Sequence, residues 1–224
     1  MRRFLWENSL SLFFGVIFLA TVFGQSFAGQ HNFNAEQVAH GSKPYSWTHY
    51  VLSSDFGGAV MENWQSEFLQ FTLFILATVW LVQKGSNESK KLADAGIESE
   101  QQQEIGAYAP ENAPAWAKLR DWRGWMFQNS LLLAMSSIFL LTWFAQSLNN
   151  WRQFNEGRRQ HDTSPLSWGD YVVNADFWER SLQNWQSEFL AVGSMAVFTI
   201  YLRQRGSPES KPVGAPHEET ASSG

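Results

Sequence analysis

The sequence predicts an all-α membrane protein with four transmembrane helices, built from two tandem, parallel-oriented two-helix repeats. Three observations lead there. First, the chain contains itself twice: a shift of 121 positions lays residues 4–90 on residues 125–211 without a gap, and about two-fifths of the paired positions are identical. Similarity over that length marks two copies of one structural unit. Second, each copy opens and closes with an apolar run. These are residues 10–28 and 68–82 in the first copy and 131–148 and 189–202 in the second, and none of them contains Arg, Lys, Asp or Glu. Such runs read as spanning helices, because lipid offers backbone amides no partner outside the helix. Third, eleven of the sixteen Lys and Arg residues lie in the N-terminus, the central linker and the C-terminal tail, against five in the two loops inside the copies. That excess places both termini and the linker in the cytoplasm and the loops outside. Each copy then crosses twice, so the copies share one orientation about a pseudo-twofold axis along the membrane normal.

Along the chain, residues 1–90 form repeat one, with helices at about 9–28 and 57–83 and an outer loop between them. The start, Met1-Arg2-Arg3 followed by an apolar run and Ser26-Phe27-Ala28, has the look of a secretory signal. The matching segment at 125–149 sits in mid-chain, so the first run reads as a retained helix. Residues 91–122 read as a cytoplasmic linker. It is polar, acidic and expected to be mostly disordered, with a short interfacial helix carrying Trp116, Leu119 and Trp122. Residues 123–211 form repeat two, with helices at about 130–148 and 178–204, and residues 212–224 a disordered tail. The mean hydropathy of −0.28 averages the four runs with these polar segments. Because runs of 14–15 residues also fit a soluble core, four buried helices of a soluble protein are the competing reading.

The two outer loops share His40, Pro44, Ser46, Trp47, Tyr50, Val51, Asp55 and Phe56 with His161, Pro165, Ser167, Trp168, Tyr171, Val172, Asp176 and Phe177. Ser46 reads as the N-cap of a short helix. Asp55 and Asp176 read as N-caps of the second helix in each copy, the latter as a capping box with Glu179. Of the twelve tryptophans, Trp6, Trp64, Trp80, Trp125 and Trp185 sit near run ends as an interfacial belt would, while Trp143 lies within a run and is expected to pack between helices. Gln25-Ser26 and Gln146-Ser147 are polar pairs suited to bonding across helices.

The candidate paired site is Glu67 and Glu188, with Asn63 and Asn184 one turn before them and His40 and His161 in the loops. The run after Glu67 spans only about 22 Å at 1.5 Å per residue, against a hydrocarbon core of about 30 Å. Starting the helix earlier pulls Glu67 to the edge of the core, and a carboxylate there needs a partner or a wet cavity. One reading makes the pair a site for cation binding, proton relay or metal ligation with the two histidines. The other makes both glutamates interfacial residues that fix loop to helix. A second shared frame, Gln-Lys/Arg-Gly-Ser-x-Glu-Ser-Lys at 83–90 and 204–211, places Gly85 and Gly206 where a left-handed residue ends a helix. Its Glu-Ser-Lys portion has no account from sequence.

The chain has no cysteine, which excludes disulfides and thiolate chemistry, and a net charge of −5 without a basic stripe, which argues against nucleic acid. It carries no nucleotide loop, His-Glu-x-x-His or Gly-x-Ser-x-Gly motif, so it reads as a non-enzyme without cofactors.

Residues 4–11, 62–69 and 206–211 (Phe-Leu-Trp-Glu-Asn-Ser-Leu-Ser, Glu-Asn-Trp-Gln-Ser-Glu-Phe-Leu and Gly-Ser-Pro-Glu-Ser-Lys) together resemble a family of uncharacterised bacterial four-helix membrane proteins, a domain of unknown function. The resemblance implies a bacterial inner-membrane location and the duplicated four-helix layout, and no substrate, cofactor or catalytic residue. The expected role is structural or interactive within the envelope. The alternative is a small transporter, channel or ion-binding protein using Glu67 and Glu188, and a metal-dependent membrane enzyme adding His40 and His161 ranks third. Expected partners are the lipid bilayer and a protein bound through the outer loops or the linker. Four helices are few for a pore, which leaves a homo-oligomer open.

Overall fold

The computed structural model describes residues 2–220; Met1 and residues 221–224, the end of the expected disordered tail, lie outside the described residues. Among the described residues the chain is all-helical, with eight α-helices, three short 3-10 helices and no strand. The α-helices are α1 (Arg2–Glu7), α2 (Ser9–Ala39), α3 (Trp47–Val51), α4 (Ser54–Trp80), α5 (Trp122–Gln128), α6 (Ser130–Gln160), α7 (Trp168–Val172) and α8 (Ala175–Tyr201). The bounds of α2, α3 and α4 recur in α6, α7 and α8 at the same 121-residue offset as the sequence. Two helices, α2 and α6, are long and apolar enough to cross a membrane.

Both of these helices run well past the apolar stretches that announced them, to Ala39 and Gln160 rather than 28 and 148. An apolar run ends where side chains become polar, but the backbone ladder continues until something caps it. Here the cap is a left-handed residue. Gly41 has φ of 73°, its N–H donates to Val38 O, and the Ser42 N–H reaches Gln37 O, the paired bonds of a Schellman motif. At the end of α6 the same bonds run from Asp162 to Arg159 O and from Thr163 to Arg158 O, with Asp162 at φ of 52°.

The starts of α4 and α8 correct the sequence reading. Asp55 and Asp176 lie in the first turn and do not cap it. Ser53 Oγ accepts from the Phe56 N–H, and Asn174 Oδ1 accepts from the Asp176 N–H. A carboxylate in the first turn is still well placed against the helix dipole. Ser46 does cap α3, its Oγ accepting from the His49 N–H.

The chain divides into two compact units, Met1–Met61 with Ala145–Tyr171, and Glu62–Phe144 with Val172–Gly224. In the first, α3 and α7 are pinned to the long helices by one repeated device. Trp47 Nε1 donates to Ser26 Oγ at 2.9 Å, and Trp168 Nε1 to Ser147 Oγ at 3.1 Å. The serines expected to bond across helices thus do so to loop tryptophans. Tyr50 and Tyr171 are buried beside Phe33 and Phe154. Gly29 is required here, because a Cβ on it would stand 2.3 Å from the Tyr50 hydroxyl.

In the second unit, Trp143 is the hub of an aromatic cluster, as its place within a run suggested. It stacks on Phe139 and Phe177 and meets Trp178 edge-on, and its Nε1 donates to Ser181 Oγ at 3.3 Å. Residues 91–122, expected to be mostly disordered with one short interfacial helix, run as turns and three 3-10 helices up to the start of α5. Polar pairs supply what apolar burial does not: Arg120 to Glu100 at 2.6 Å, a Lys90–Glu98 ion pair, and the Gly96 N–H to Val79 O at 2.7 Å. The expected single interfacial helix is broken in two. Residues Ala115–Lys118 form a 3-10 turn, and Asp121 then caps α5 by accepting from the Arg123 and Gly124 N–H groups.

Gly85 and Gly206 are left-handed as expected, at φ of 84° and 85°. They do not end the helices, which stop at Trp80 and Tyr201. They form tight turns closed by Ser86 N–H to Gln83 O and Ser207 N–H to Gln204 O.

Candidate functional site

Residues 63–69 and 184–190, the longest identical stretch of the two copies, lie on α4 and α8 in the second unit. Their spacing on two helices sets which side chains face each other. Ser66, buried at 2 % exposure, donates through Oγ to Asn63 O at 2.9 Å and reaches Glu188 Oε1 at 3.4 Å. The negative charge of Glu67 acts on the Glu188 carboxylate, so the two shared glutamates sit within electrostatic reach of one another. Glu188 is half-buried and Glu67 exposed. Like charges repel, and a shared proton or a bound cation relieves such repulsion.

The surroundings are not symmetric. Gln65 is fully buried and accepts from Trp185 Nε1 at 2.8 Å. Arg180 bridges Asp176 at 3.2 Å and Glu62 at 3.1 Å, tying α8 to α4 with two charges present in one copy only. Asn184 does not turn to Glu188; its Nδ2 donates to Arg180 O at 2.8 Å. Asn63 enters through its backbone carbonyl, which accepts from Ser66.

His40 and His161 belong to the first unit. Each is exposed and follows the last residue of a long helix, its backbone N–H closing the final turn. Among the described residues no group of three or more His, Asp or Glu side chains is placed to hold a metal ion.

Sequence reasoning missed the best-defined polar device of the loops within the two copies. Asn34 Nδ2 donates to Tyr45 O at 2.9 Å while its Oδ1 accepts from the Tyr45 N–H at 2.7 Å. Asn155 makes the same two bonds to Leu166, at 2.9 and 2.8 Å. Each asparagine thereby acts as a backbone strand for one loop residue. The signal was present, since Asn34 and Asn155 are identical at the repeat offset. It was passed over because both lie beyond the apolar runs. Between α3 and the end of α6, still within the first unit, opens a cavity of about 400 Å³ bordered by Tyr45, His49, Asp55, Trp151, Arg152 and Glu156.

Residues 1–222 match the family described as "Domain of unknown function (DUF6766)". The chain belongs to that family. No curated protein and no solved structure matches it. Membership therefore covers the whole architecture and brings no assigned chemistry to the Glu67–Glu188 region.

Proposed function

We propose that this DUF6766 chain is an integral protein of the bacterial inner membrane, with four spans from two parallel two-helix units and both termini cytoplasmic, serving a structural or interaction role in the envelope. The observation that carries the membrane reading is the outward apolar surface of α2 and α6. Only 6 % and 17 % of their most apolar stretches is buried within the protein, and an apolar surface of that extent supports a lipid-facing reading. The interaction role is supported by the outer loops, where tryptophan–serine pins and asparagine clamps hold two short helices rigid enough to present a fixed surface. Lipid is one partner, and a protein bound through the loops or linker, or a second copy of the chain, is the other.

A second reading, a small transporter, channel or ion-binding protein, is favoured by one observation: the Ser66 hydroxyl and the charge of Glu67 both act on Glu188. Native mass spectrometry of the protein in lipid nanodiscs, with elemental analysis of the same sample, separates the two. A stoichiometric metal or small ligand that is lost in Glu67→Gln/Glu188→Gln establishes the second reading and removes the first. A protein carrying only lipid or another polypeptide, unchanged in the double variant, supports the first.

A further inference from the structure

The Glu-Ser-Lys segments, unexplained by sequence, end in two lysines with unusual surroundings. Lys211 is buried at 4 % exposure and faces a cage of main-chain carbonyls. Its Nζ lies within hydrogen-bond distance of Gly85 O at 2.6 Å, His217 O at 3.0 Å, Glu219 O at 3.0 Å and Pro216 O at 3.2 Å, so its three N–H groups are shared among four acceptors. Three of these oxygens belong to the tail, and the fourth belongs to the turn after α4, over 120 residues earlier. Burial pushes the Lys211 amine below the ordinary lysine range; Arg203 adds to this and Glu219 opposes it. A buried ammonium persists only where donors meet acceptors, and the carbonyl cage meets that condition.

The same turn is held at its other polar group. The Gly85 N–H donates to Thr220 Oγ1 at 2.9 Å, so both main-chain groups of Gly85 are taken by residues 211–220. The approach is close enough that a Cβ on Gly85 would stand 2.4 Å from His217 O, which together with its φ of 84° makes glycine obligatory there. The tail is anchored to α8 as well: His217 Nδ1 lies 3.0 Å from Ile200 O, and Arg203 Nη2 donates to Ala215 O at 2.9 Å. Ser86 completes the junction, its hydroxyl 3.1 Å from that of Thr199 on α8. Two repeated bonds shape the turns that present the lysines, from Gln83 N–H to Ser89 Oγ and from Gln204 N–H to Ser210 Oγ. Lys90 uses its amine locally, on Gly96 O and Glu98. Of these two lysines, Lys211 is the one that reaches a segment distant in sequence; Lys84 Nζ adds an exposed ion pair across the same junction, to Glu218 Oε2 at 2.9 Å.

We propose that residues 211–220 form a clasp, pinned by Lys211, that locks the turn after α4 to the end of α8. The clasp fixes the separation of these two helix ends, and its release lets them move independently. It is a property of the second unit alone and stands whether or not Glu67 and Glu188 bind an ion.

The absence of cysteine makes the test clean. Spin labels on Gln83→Cys and Val213→Cys, both exposed, in the full chain in nanodiscs, report the tail-to-turn distance. A narrow distribution is expected with Lys211 present and a broad, longer one in Lys211→Met, with helical circular dichroism retained. In parallel, hydrogen exchange of residues 83–87 is measured in the otherwise native chain ended after Lys211. The amides of Gly85 and Ser86 are expected to exchange at least tenfold faster than in the full chain. This second arm decides the matter where Lys211→Met fails to fold. Unchanged exchange in the shortened chain, or an unchanged narrow distance in a folded Lys211→Met, overturns the clasp.

Discussion

Asn155→Ala tests whether the loop between α6 and α7 is held by side-chain capture of its backbone. Asn155 is buried at 3 % exposure and makes both its bonds to Leu166. The Leu166 carbonyl keeps a second donor, Trp151 Nε1 at 2.8 Å, so losing Nδ2 there removes one hydrogen bond worth about 1 kcal/mol. The Leu166 N–H has no such reserve, and leaving it unmet in a buried site costs about 1–3 kcal/mol. The sum is roughly 2–4 kcal/mol. Asn34→Ala is the internal comparison: it breaks the same pair of bonds to Tyr45, with Gln30 Nε2 at 2.9 Å as the reserve on the carbonyl, but Asn34 is only half-buried. Water replaces the lost acceptor more readily there, and the expected loss is about 1–2 kcal/mol. Thermal unfolding in nanodiscs, followed by tryptophan fluorescence, reads both, because Trp151 and Trp168 lie beside the perturbed loop. A loss in Asn155→Ala no larger than that of the exposed control Gln160→Ala would refute the clamp.

Other outcomes follow from single positions. Asp162→Gly relieves a left-handed residue that carries a Cβ, and a gain of about 1 kcal/mol is expected by the same melt, whereas Gly41→Ala at the equivalent cap loses about as much. Trp143→Ala removes the hub of the aromatic cluster and should cost about 3 kcal/mol. Glu88 is held above the ordinary carboxylate range, first by burial and then by Glu209, and its buried Oε1 lacks a hydrogen-bond partner. With the folded value raised, the folded chain holds this proton more tightly than the unfolded one, so stability falls as pH rises from the ordinary value through the raised one. Glu88→Gln should therefore melt higher than the parent at pH 7, with the gain shrinking toward pH 4; equal gains at both would contradict this.

Much of the helical content could be read from sequence, because apolar runs and their 121-residue echo are signals of composition and period. Trp143 was placed correctly by its position inside a run, and Ser46 by its turn context. Helix ends were not. The apolar run stops at residue 28, yet the backbone continues to a Schellman cap at Gly41, whose bonds depend on φ and not on hydropathy. Asp55 and Asp176 are good cap residues by type, but Ser53 and Asn174, two positions earlier, also are, and geometry chose them. At the candidate site the identity of residues 63–69 with 184–190 pointed to Glu67 and Glu188, and the fold brings Ser66 beside Glu188. The asymmetry around them, with Gln65 taken by Trp185 and Arg180 bridging Glu62, required the packing. Lys211 was beyond reach altogether, since its acceptors are main-chain carbonyls that sequence does not distinguish.

The most direct test of the central claim, four spans with parallel repeats, is cysteine accessibility in intact expressing cells. Single substitutions Lys43→Cys, Ser164→Cys, Gln101→Cys and Gly214→Cys are labelled with a membrane-impermeant maleimide. Labelling at 43 and 164 in intact cells, and at 101 and 214 only after the inner membrane is opened, is the expected pattern. Labelling of all four without opening, or of 43 and 164 on opposite sides, would contradict the account.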